Sequence, residues 1–160
     1  MPKHVIRVIG LSCSISLGVL SVLLAPRPAA ADWSLQSGGA GGCRLESSIK
    51  EMETGYNQAR VKILVEKARV VIESDAKLDD AFGDLGLMVD RKARIGVDRI
   101  EGERKAVVAS DYDTLIGQFK AGLRVALQLR FWPTWPTTGT HGADFSLVGF
   151  SKAYAGLEAC

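Results

Sequence analysis

The strongest constraint on the fold is a run of ten residues, Leu123 to Trp132, in which apolar side chains occupy every second position. The apolar row consists of Leu123, Val125, Leu127, Leu129 and Phe131. Successive side chains of a β-strand point to opposite faces of the sheet, so a period of two predicts a strand. One face of this strand is predicted to lie in the core, and the other to meet solvent or a partner.

Shorter segments repeat this period of two along the chain and are separated by turn signals. They predict strands over residues 59–66, 68–73, 85–89, 93–98, 104–109 and 145–150. Residues 100–103 contain a glycine and predict a hairpin connection. Short strands joined by turns are typical of antiparallel sheets rather than of alternating strands and helices.

Two helices interrupt this pattern. Asp111 or Asp113 can cap a first helix that ends near Gly122, and Ser151 can begin a second helix close to the C-terminal end. We therefore predict a mainly β fold. It is an antiparallel β-sandwich or barrel-like domain with one short internal helix and a C-terminal helix.

Residues 1–31 have the organisation of a secretory signal peptide. The positive residues Lys3 and Arg7 precede an apolar stretch over residues 8–25, and small residues at 29–31 close the segment. We predict cleavage after this segment, which places the mature protein in the periplasm or outside the cell and leaves no stable membrane span. The alternative is a retained membrane anchor, because the apolar stretch approaches the length of a span.

The charge balance changes when this segment is removed. The chain has 20 Lys and Arg against 18 Asp and Glu, and residues 1–31 hold three of the bases and none of the acids. The remaining residues carry 17 bases and 18 acids, a formal charge of −1. A nucleic-acid binder needs a surplus of basic residues to neutralise phosphates, so no nucleic-acid partner is expected. The same count argues against a polybasic membrane sensor.

Residues 32–42 are rich in glycine and predict a flexible N-terminal segment, so that a single β-rich domain covers residues 43–160. This domain holds two cysteines, Cys43 and Cys160. An oxidising compartment favours a disulfide, and two cysteines allow only one pairing. We predict a disulfide between them. The alternative is a reactive thiol, for which we find no adjacent base and no C-x-x-C spacing.

No residue set predicts catalysis or cofactor binding. His141 lies near Asp144 and either Ser146 or Ser151, but these residues crowd into one short region without a G-x-S-x-G elbow. The sequence also lacks the glycine motifs that bind phosphates and dinucleotides. We predict no catalytic residues and no cofactor, and therefore a protein that is not an enzyme.

An acidic segment is the strongest candidate for a metal site. Residues 74–84 are predicted as a loop and contain Asp75, Asp79, Asp80 and Asp84. Carboxylate oxygens are the ligands that calcium prefers, but the spacing differs from that of an EF-hand loop. A run of acids in an exposed loop is commonly just solvated, so we predict no metal.

The segment from Phe131 to His141 is the best candidate for a binding surface. Its two tryptophans stand beside prolines, and rigid aromatic side chains lose little entropy on binding. We predict a binding loop that contains Trp132, Trp135, Pro136 and His141. The alternative is an indole that folds back and covers the open end of the sandwich, whereas an exposed indole favours a partner surface.

Several of these features together resemble one known family. They are Trp33, Gly42-Cys43, the Leu115-Ile116-x-x-Phe119-Lys120-x-Gly122 segment, a strand that ends in Trp132, and the block Phe145-Ser146-Leu147-Val148-Gly149-Phe150-Ser151-Lys152-Ala153-Tyr154. In these residues the chain resembles the invasion-associated locus B family of exported bacterial proteins, and the block is similar to that family's closing F-S-L-x-G-F-x-x-A-Y signature. The resemblance implies a compact, mainly β domain, export in Gram-negative bacteria and, for some members, an association with host-cell invasion. Many members carry a further internal cysteine pair, which this chain lacks.

Export, a disulfide-bonded β domain and an aromatic loop together predict a non-enzymatic protein-binding module of the bacterial envelope. Its partner would be a protein of the envelope or of a host, and the module itself a monomer or a weak homo-oligomer. Two alternatives stay open. One is an inhibitor of an envelope hydrolase such as a lysozyme, in which a loop plugs a cleft. The other is a protein that binds a glycan or a small ligand by stacking on Trp132 or Trp135.

Overall fold

The chain folds into eleven β-strands and two α-helices over residues 32–37, 42–133 and 139–160, the part that the computed structural model describes. The strands are β1 (Trp33–Gln36), β2 (Arg44–Ser47), β3 (Lys50–Glu53), β4 (Gln58–Val65), β5 (Val70–Ser74), β6 (Gly86–Val89), β7 (Ile95–Gly96), β8 (Arg99–Glu101), β9 (Lys105–Val108), β10 (Arg124–Leu129) and β11 (His141–Ser146). The helices are α1 (Tyr112–Ala121) and α2 (Phe150–Glu158). The predicted signal peptide lies outside the described residues. Neither described helix is long and apolar enough to cross a membrane.

The strands form two antiparallel sheets. The large sheet has the order β1-β2-β4-β5-β9-β8, with β3 also paired to β4, and the small sheet has the order β11-β10-β6-β7. The main core contains residues from both sheets, and neither sheet closes into a barrel, so the architecture is sandwich-like. The prediction of a mainly β, antiparallel fold with an internal helix and a C-terminal helix is confirmed.

Strand β10 follows the alternation that predicts it. Val125, Leu127 and Leu129 are fully buried, and Phe131 continues the buried row just after the strand ends. Leu123 departs from the predicted pattern because it lies before the first residue of the strand, where it is 73% exposed. The alternating run therefore defines the core face of β10 but not its first residue.

The N-terminal segment contains a strand where flexibility is predicted. Residues Trp33–Gln36 pair with β2, so the prediction of a flexible segment over residues 32–42 is wrong for β1. The physical reason is Trp33, which is 4% exposed and whose Nε1 donates a hydrogen bond to the Ser146 carbonyl (2.8 Å). Residues 38–41 lie outside the described part of the chain.

Three aromatic rings join β1 to the two helices. The ring centroid of Trp33 lies 4.9 Å from that of Phe150 and 6.0 Å from that of Phe119. The centroids of Phe119 and Phe150 are 5.2 Å apart, and their planes meet edge to face. The quadrupoles of aromatic rings favour this arrangement. The cluster therefore anchors both helices to the first strand of the large sheet.

The C-terminal end differs from its predicted boundaries. The last strand, β11, covers His141–Ser146 instead of residues 145–150, and α2 begins at Phe150 instead of Ser151. Gly149 forms the boundary with a φ of 84°, a left-handed conformation that glycine adopts without strain. The turn at this glycine delivers the fully buried Phe150 into the aromatic cluster, which explains the earlier start of the helix.

The predicted disulfide is present. Cys43 lies just before β2 and Cys160 follows α2, and their Cα atoms are 6.2 Å apart, within the usual range for a disulfide. The bond joins residues that are 117 positions apart in the sequence. It therefore attaches the end of α2 to the start of β2 in the large sheet.

Candidate functional site

Two chain segments meet just beyond the end of β10 and build the candidate site. Leu78 forms an isolated antiparallel bridge with Phe131, and both side chains are buried. Two backbone hydrogen bonds flank the bridge, each 2.9 Å long: Asp79 N to the Arg130 carbonyl and Trp132 N to the Lys77 carbonyl. The backbone of residues 130–132 is therefore held against the loop that precedes β6.

Trp132 points away from the core. Side chains alternate along an extended segment, so the neighbours of the buried Phe131 face the opposite way. Trp132 is 59% exposed, and the Nζ atom of Lys77 lies 5.7 Å from the centroid of its ring. The exposed indole thus stands on a hydrogen-bonded backbone, with an ammonium group close to the ring.

Phe82 adds a second exposed aromatic ring. It is 56% exposed, and the guanidinium carbon of Arg130 lies 4.3 Å from its ring centroid, a cation–π contact. Arg130 itself is 6% exposed and donates hydrogen bonds to both carboxylate oxygens of Asp84. Because Arg130 and Trp132 are two residues apart in an extended segment, they share a face. We call Lys77, Phe82, Arg130 and Trp132 the aromatic platform.

Each cation of the platform is matched by a carboxylate. The Nζ atom of Lys77 is 2.6 Å from a carboxylate oxygen of Glu103, and Arg130 binds Asp84. The hydrogen bond from the Arg130 guanidinium lowers the pKa of Asp84, and the same hydrogen bond raises the pKa of Arg130. Both groups are therefore ionised at neutral pH. The platform presents aromatic surface over paired charges, which suits recognition by close contact more than long-range attraction.

We expect Asp84→Asn to lower the free energy of unfolding by about 1–3 kcal/mol at neutral pH, because it removes a charge-assisted partner of the nearly buried Arg130. The folded-state pKa of Asp84 is lowered, so its stabilising contribution is present above the unfolded pKa of about 4 and is lost as the pH falls through the folded value. Urea unfolding at several pH values should show the difference from the wild type shrinking below about pH 4.

Asp80→Asn is the matched control for this experiment, because Asp80 is an exposed carboxylate of the same loop. It should change the free energy of unfolding by less than about 0.5 kcal/mol. An effect of Asp84→Asn that is constant from neutral to strongly acidic pH would contradict a stabilising ion pair with Arg130.

The structure describes two of the four predicted binding-loop residues. Trp132 is exposed and does not fold back over the core. His141 is half-buried at the start of β11, and its ring centroid lies 6.0 Å from that of Phe131. His141 therefore packs beside Phe131, the buried residue whose bridge to Leu78 holds the backbone of the platform in place. Trp135 and Pro136 lie outside the described residues.

The Ser/His/Asp set considered from the sequence does not assemble. Asp144 and Ser146 lie on one face of β11 and His141 on the other, because their positions differ in parity. Asp144 instead forms an ion pair with an arginine of β10 (3.4 Å). Ser151 lies in α2, where its Oγ donates a hydrogen bond to the Lys120 carbonyl (3.1 Å).

Three of the four carboxylates of the acidic loop, those of Asp75, Asp79 and Asp84, have partners within the protein. Asp75 accepts hydrogen bonds from the backbone and the side chain of Arg60 (2.8 and 3.0 Å). Asp79 accepts one from Ala81 N (2.9 Å), and Asp84 belongs to the ion pair beneath the platform. In the part of the chain that the structure describes, no group of three or more His, Cys, Asp and Glu side chains could hold a metal ion.

Three residues of the platform, Lys77, Phe82 and Arg130, are not among the predicted site residues. From the sequence, Lys77 and Phe82 are expected only in the loop over residues 74–84, and Arg130 only on the outward face of the alternating run. One signal for Arg130 was available, because it precedes Trp132 by two positions in the alternating run and must share its face. No local pattern places Phe82 against Arg130, since that contact depends on how the loop before β6 folds.

Comparisons with known proteins identify no family for this chain. No protein-family model matches the chain, no curated protein matches it, and no solved structure matches it. The function proposed below therefore depends on the geometry of the platform and on the sequence features described above.

Proposed function

We propose that this chain is an exported, non-enzymatic protein-binding module of the bacterial envelope that binds its partner through the aromatic platform. The observation that carries the proposal is the 59% exposure of Trp132. An exposed Leu or Val is common on protein surfaces, whereas two large aromatic rings exposed on one small surface are more typical of an interaction site.

The platform has the physical properties of a binding hot spot. Tryptophan and arginine are enriched among the residues that dominate binding energy in interfaces. The backbone of Trp132 is tied to Lys77, and the Arg130 side chain is fixed between Asp84 and Phe82. Because these groups are already ordered, association with a partner would cost little further conformational entropy.

Two features support an exported location. The pattern of residues 1–31 is typical of a signal peptide, and a disulfide such as Cys43–Cys160 persists in oxidising compartments. The resemblance to the invasion-associated locus B family supports the same location. Its signature residues Phe145, Leu147 and Phe150 are 1%, 3% and 0% exposed, so the signature supports the architecture and not the binding surface.

We expect Trp132→Ala to reduce the capture of a partner from periplasmic extract of the producing organism about 30-fold, because hot-spot truncations cost about 2 kcal/mol or more. Phe82→Ala should weaken the same capture, since Phe82 lies on the same surface. The measurement is affinity capture on immobilised protein, with the captured partner then titrated against each variant.

Leu123→Ala is the matched control, because Leu123 is 73% exposed but lies outside the platform. It should leave capture unchanged, and Trp132→Phe should retain most of it. If Trp132→Ala and Phe82→Ala captured the partner as well as the wild type does, the platform would not be the binding surface.

Glycan binding is a second candidate, favoured by the exposed indole of Trp132, which is a suitable surface for stacking a sugar ring. It differs from protein binding in a direct observable. A glycan that stacks on Trp132 should change tryptophan fluorescence in a titration, and the change should disappear in Trp132→Phe.

A further inference from the structure

A second surface, built from other residues than the platform, lies on the outer face of the large sheet. It is an open cleft of about 470 Å³, within the size range of ligand-binding clefts. Its lining residues come from β4, β5, β9, the turns that flank them and the break between β2 and β3: Ile49, Arg60, Val61, Lys62, Glu73, Ser74, Asp75, Gly102, Arg104 and Lys105. We call this surface the basic cleft.

Cations outnumber carboxylates in the basic cleft. Four of its lining residues are Lys or Arg and two are Asp or Glu, a local surplus of two positive charges. The residues outside the signal-peptide segment carry a formal charge of −1, so the surplus belongs to this face and not to the protein as a whole. A surface of this kind attracts anionic partners.

The ion pairs inside the cleft leave part of this positive charge uncompensated. Glu73 is shared by two ammonium groups, those of Lys62 (3.2 Å) and Lys105 (3.5 Å). Lys62 also reaches Glu46, which lies outside the lining (3.4 Å). Among residues 32–37, 42–133 and 139–160, no carboxylate lies within ion-pair distance of the exposed Arg104, and its electrostatic partner Glu103 is already paired with Lys77 (2.6 Å).

One wall of the cleft is apolar. Ile49 lies in the short break between β2 and β3 and is 59% exposed. Because this exposed isoleucine lines the same cleft as the four cations, it offers a contact for an apolar side chain of an anionic partner. A polysulfated glycan or an inorganic anion has no group that would use this contact.

We propose that the basic cleft binds an extended acidic peptide segment of a partner protein, with carboxylates of the segment at Arg104 and Lys105 and an apolar side chain against Ile49. Glu73 is shared by Lys62 and Lys105 and neutralises their charge only in part, so carboxylates of the segment would supply further partners. The cleft shares no lining residue with the aromatic platform but adjoins it, because Glu103, which lies between the cleft residues Gly102 and Arg104, pairs with Lys77 of the platform (2.6 Å).

The test uses the full mature chain and a fluorescein-labelled hexapeptide of alternating Glu and Val, followed by fluorescence anisotropy. We expect saturable binding that weakens as salt is raised, because the contacts are exposed ion pairs. Arg104→Glu should weaken binding about fivefold or more, since it replaces an attraction by a repulsion. Ile49→Ser should also weaken binding, and a peptide of alternating Lys and Val should not bind.

Arg91→Glu is the matched control, because Arg91 is also exposed and lies outside the cleft lining, and its substitution makes the same change in net charge. It should change the affinity less than about twofold. Leu123→Ala, which lies outside both surfaces and keeps the charge, should leave the affinity unchanged. Far-UV circular dichroism checks that each variant is folded.

Three results would overturn the proposal: no binding of the acidic peptide, equal losses in Arg104→Glu and Arg91→Glu, or binding that does not respond to Ile49→Ser. Binding of a sulfated heparin oligosaccharide in place of the peptide would likewise overturn it, because the cleft would then recognise anionic glycans.

Discussion

Replacement of both Cys43 and Cys160 by serine is expected to lower the free energy of unfolding by about 4–5 kcal/mol, the largest effect of any change considered. The disulfide joins residues 117 positions apart, so it removes much of the loop entropy of the denatured chain in the chain-entropy model. Because small domains have total stabilities of only about 5–15 kcal/mol, the variant should be close to its unfolding threshold at 37 °C.

Urea unfolding followed by circular dichroism measures this effect in the oxidised wild type and the double serine variant. The wild type treated with a thiol reductant should behave as the variant does, since both lack the cross-link. A variant whose unfolding midpoint and slope equal those of the oxidised protein would contradict a stabilising disulfide. The slope is informative because a cross-linked denatured chain exposes less surface.

Trp33→Ala is expected to destabilise the fold by about 3–5 kcal/mol, the usual cost of truncating a large buried aromatic side chain. Trp33 is 4% exposed, its ring contacts those of Phe119 and Phe150, and its Nε1 binds the Ser146 carbonyl. The truncation would open a cavity between β1 and both helices. It would also leave the partly buried Ser146 carbonyl without its indole donor.

Trp33→Phe separates the two contributions. It keeps an aromatic ring in the cluster and loses the hydrogen bond, so we expect a cost of about 1–2 kcal/mol from the unpaired carbonyl. Thermal or urea unfolding of the two variants gives the comparison. A Trp33→Ala variant as stable as the wild type would show that residues 32–36 do not belong to the folded unit.

The sequence predicts the elements whose burial pattern is local. Strand β10 alternates completely between buried and more exposed positions, because one of its faces lies in the main core. Helix α1 is predicted between an aspartate cap and Gly122, and it covers Tyr112–Ala121 with Leu115, Ile116 and Phe119 buried. The antiparallel architecture follows from the many short strands and turns, and the structure confirms it.

Strands β1, β2 and β3 are not predicted, for a physical reason. Strand β3 has the sequence Lys-Glu-Met-Glu, in which Met52 is the one buried residue. In β1 only Trp33 is buried, so no period of two is visible. Strand β1 pairs with β2, and both β2 and β3 pair with β4. Trp33 of β1 also contacts Phe150 of a distant helix. A local window of sequence contains none of these contacts.

The candidate site is only partly predictable from the sequence, because its residues come from two separate segments of the chain. Trp132 is marked by its place at the end of an alternating run, and its exposure agrees with a binding surface. Its neighbour Phe82 belongs to a loop whose path is fixed by the bridge between Leu78 and Phe131. Only the folded structure brings these segments together, so the platform could not be assembled from sequence spacing.

Tryptophan fluorescence tests most directly whether the Trp132 side chain stands in solvent. In a variant with Trp33→Phe and Trp135→Phe, Trp132 is the single tryptophan, and its fluorescence reports its own surroundings. We predict red-shifted emission and efficient quenching by acrylamide, both reduced when a partner binds. Blue-shifted emission that acrylamide barely quenches in the free protein would place Trp132 in the core and contradict the proposed binding surface.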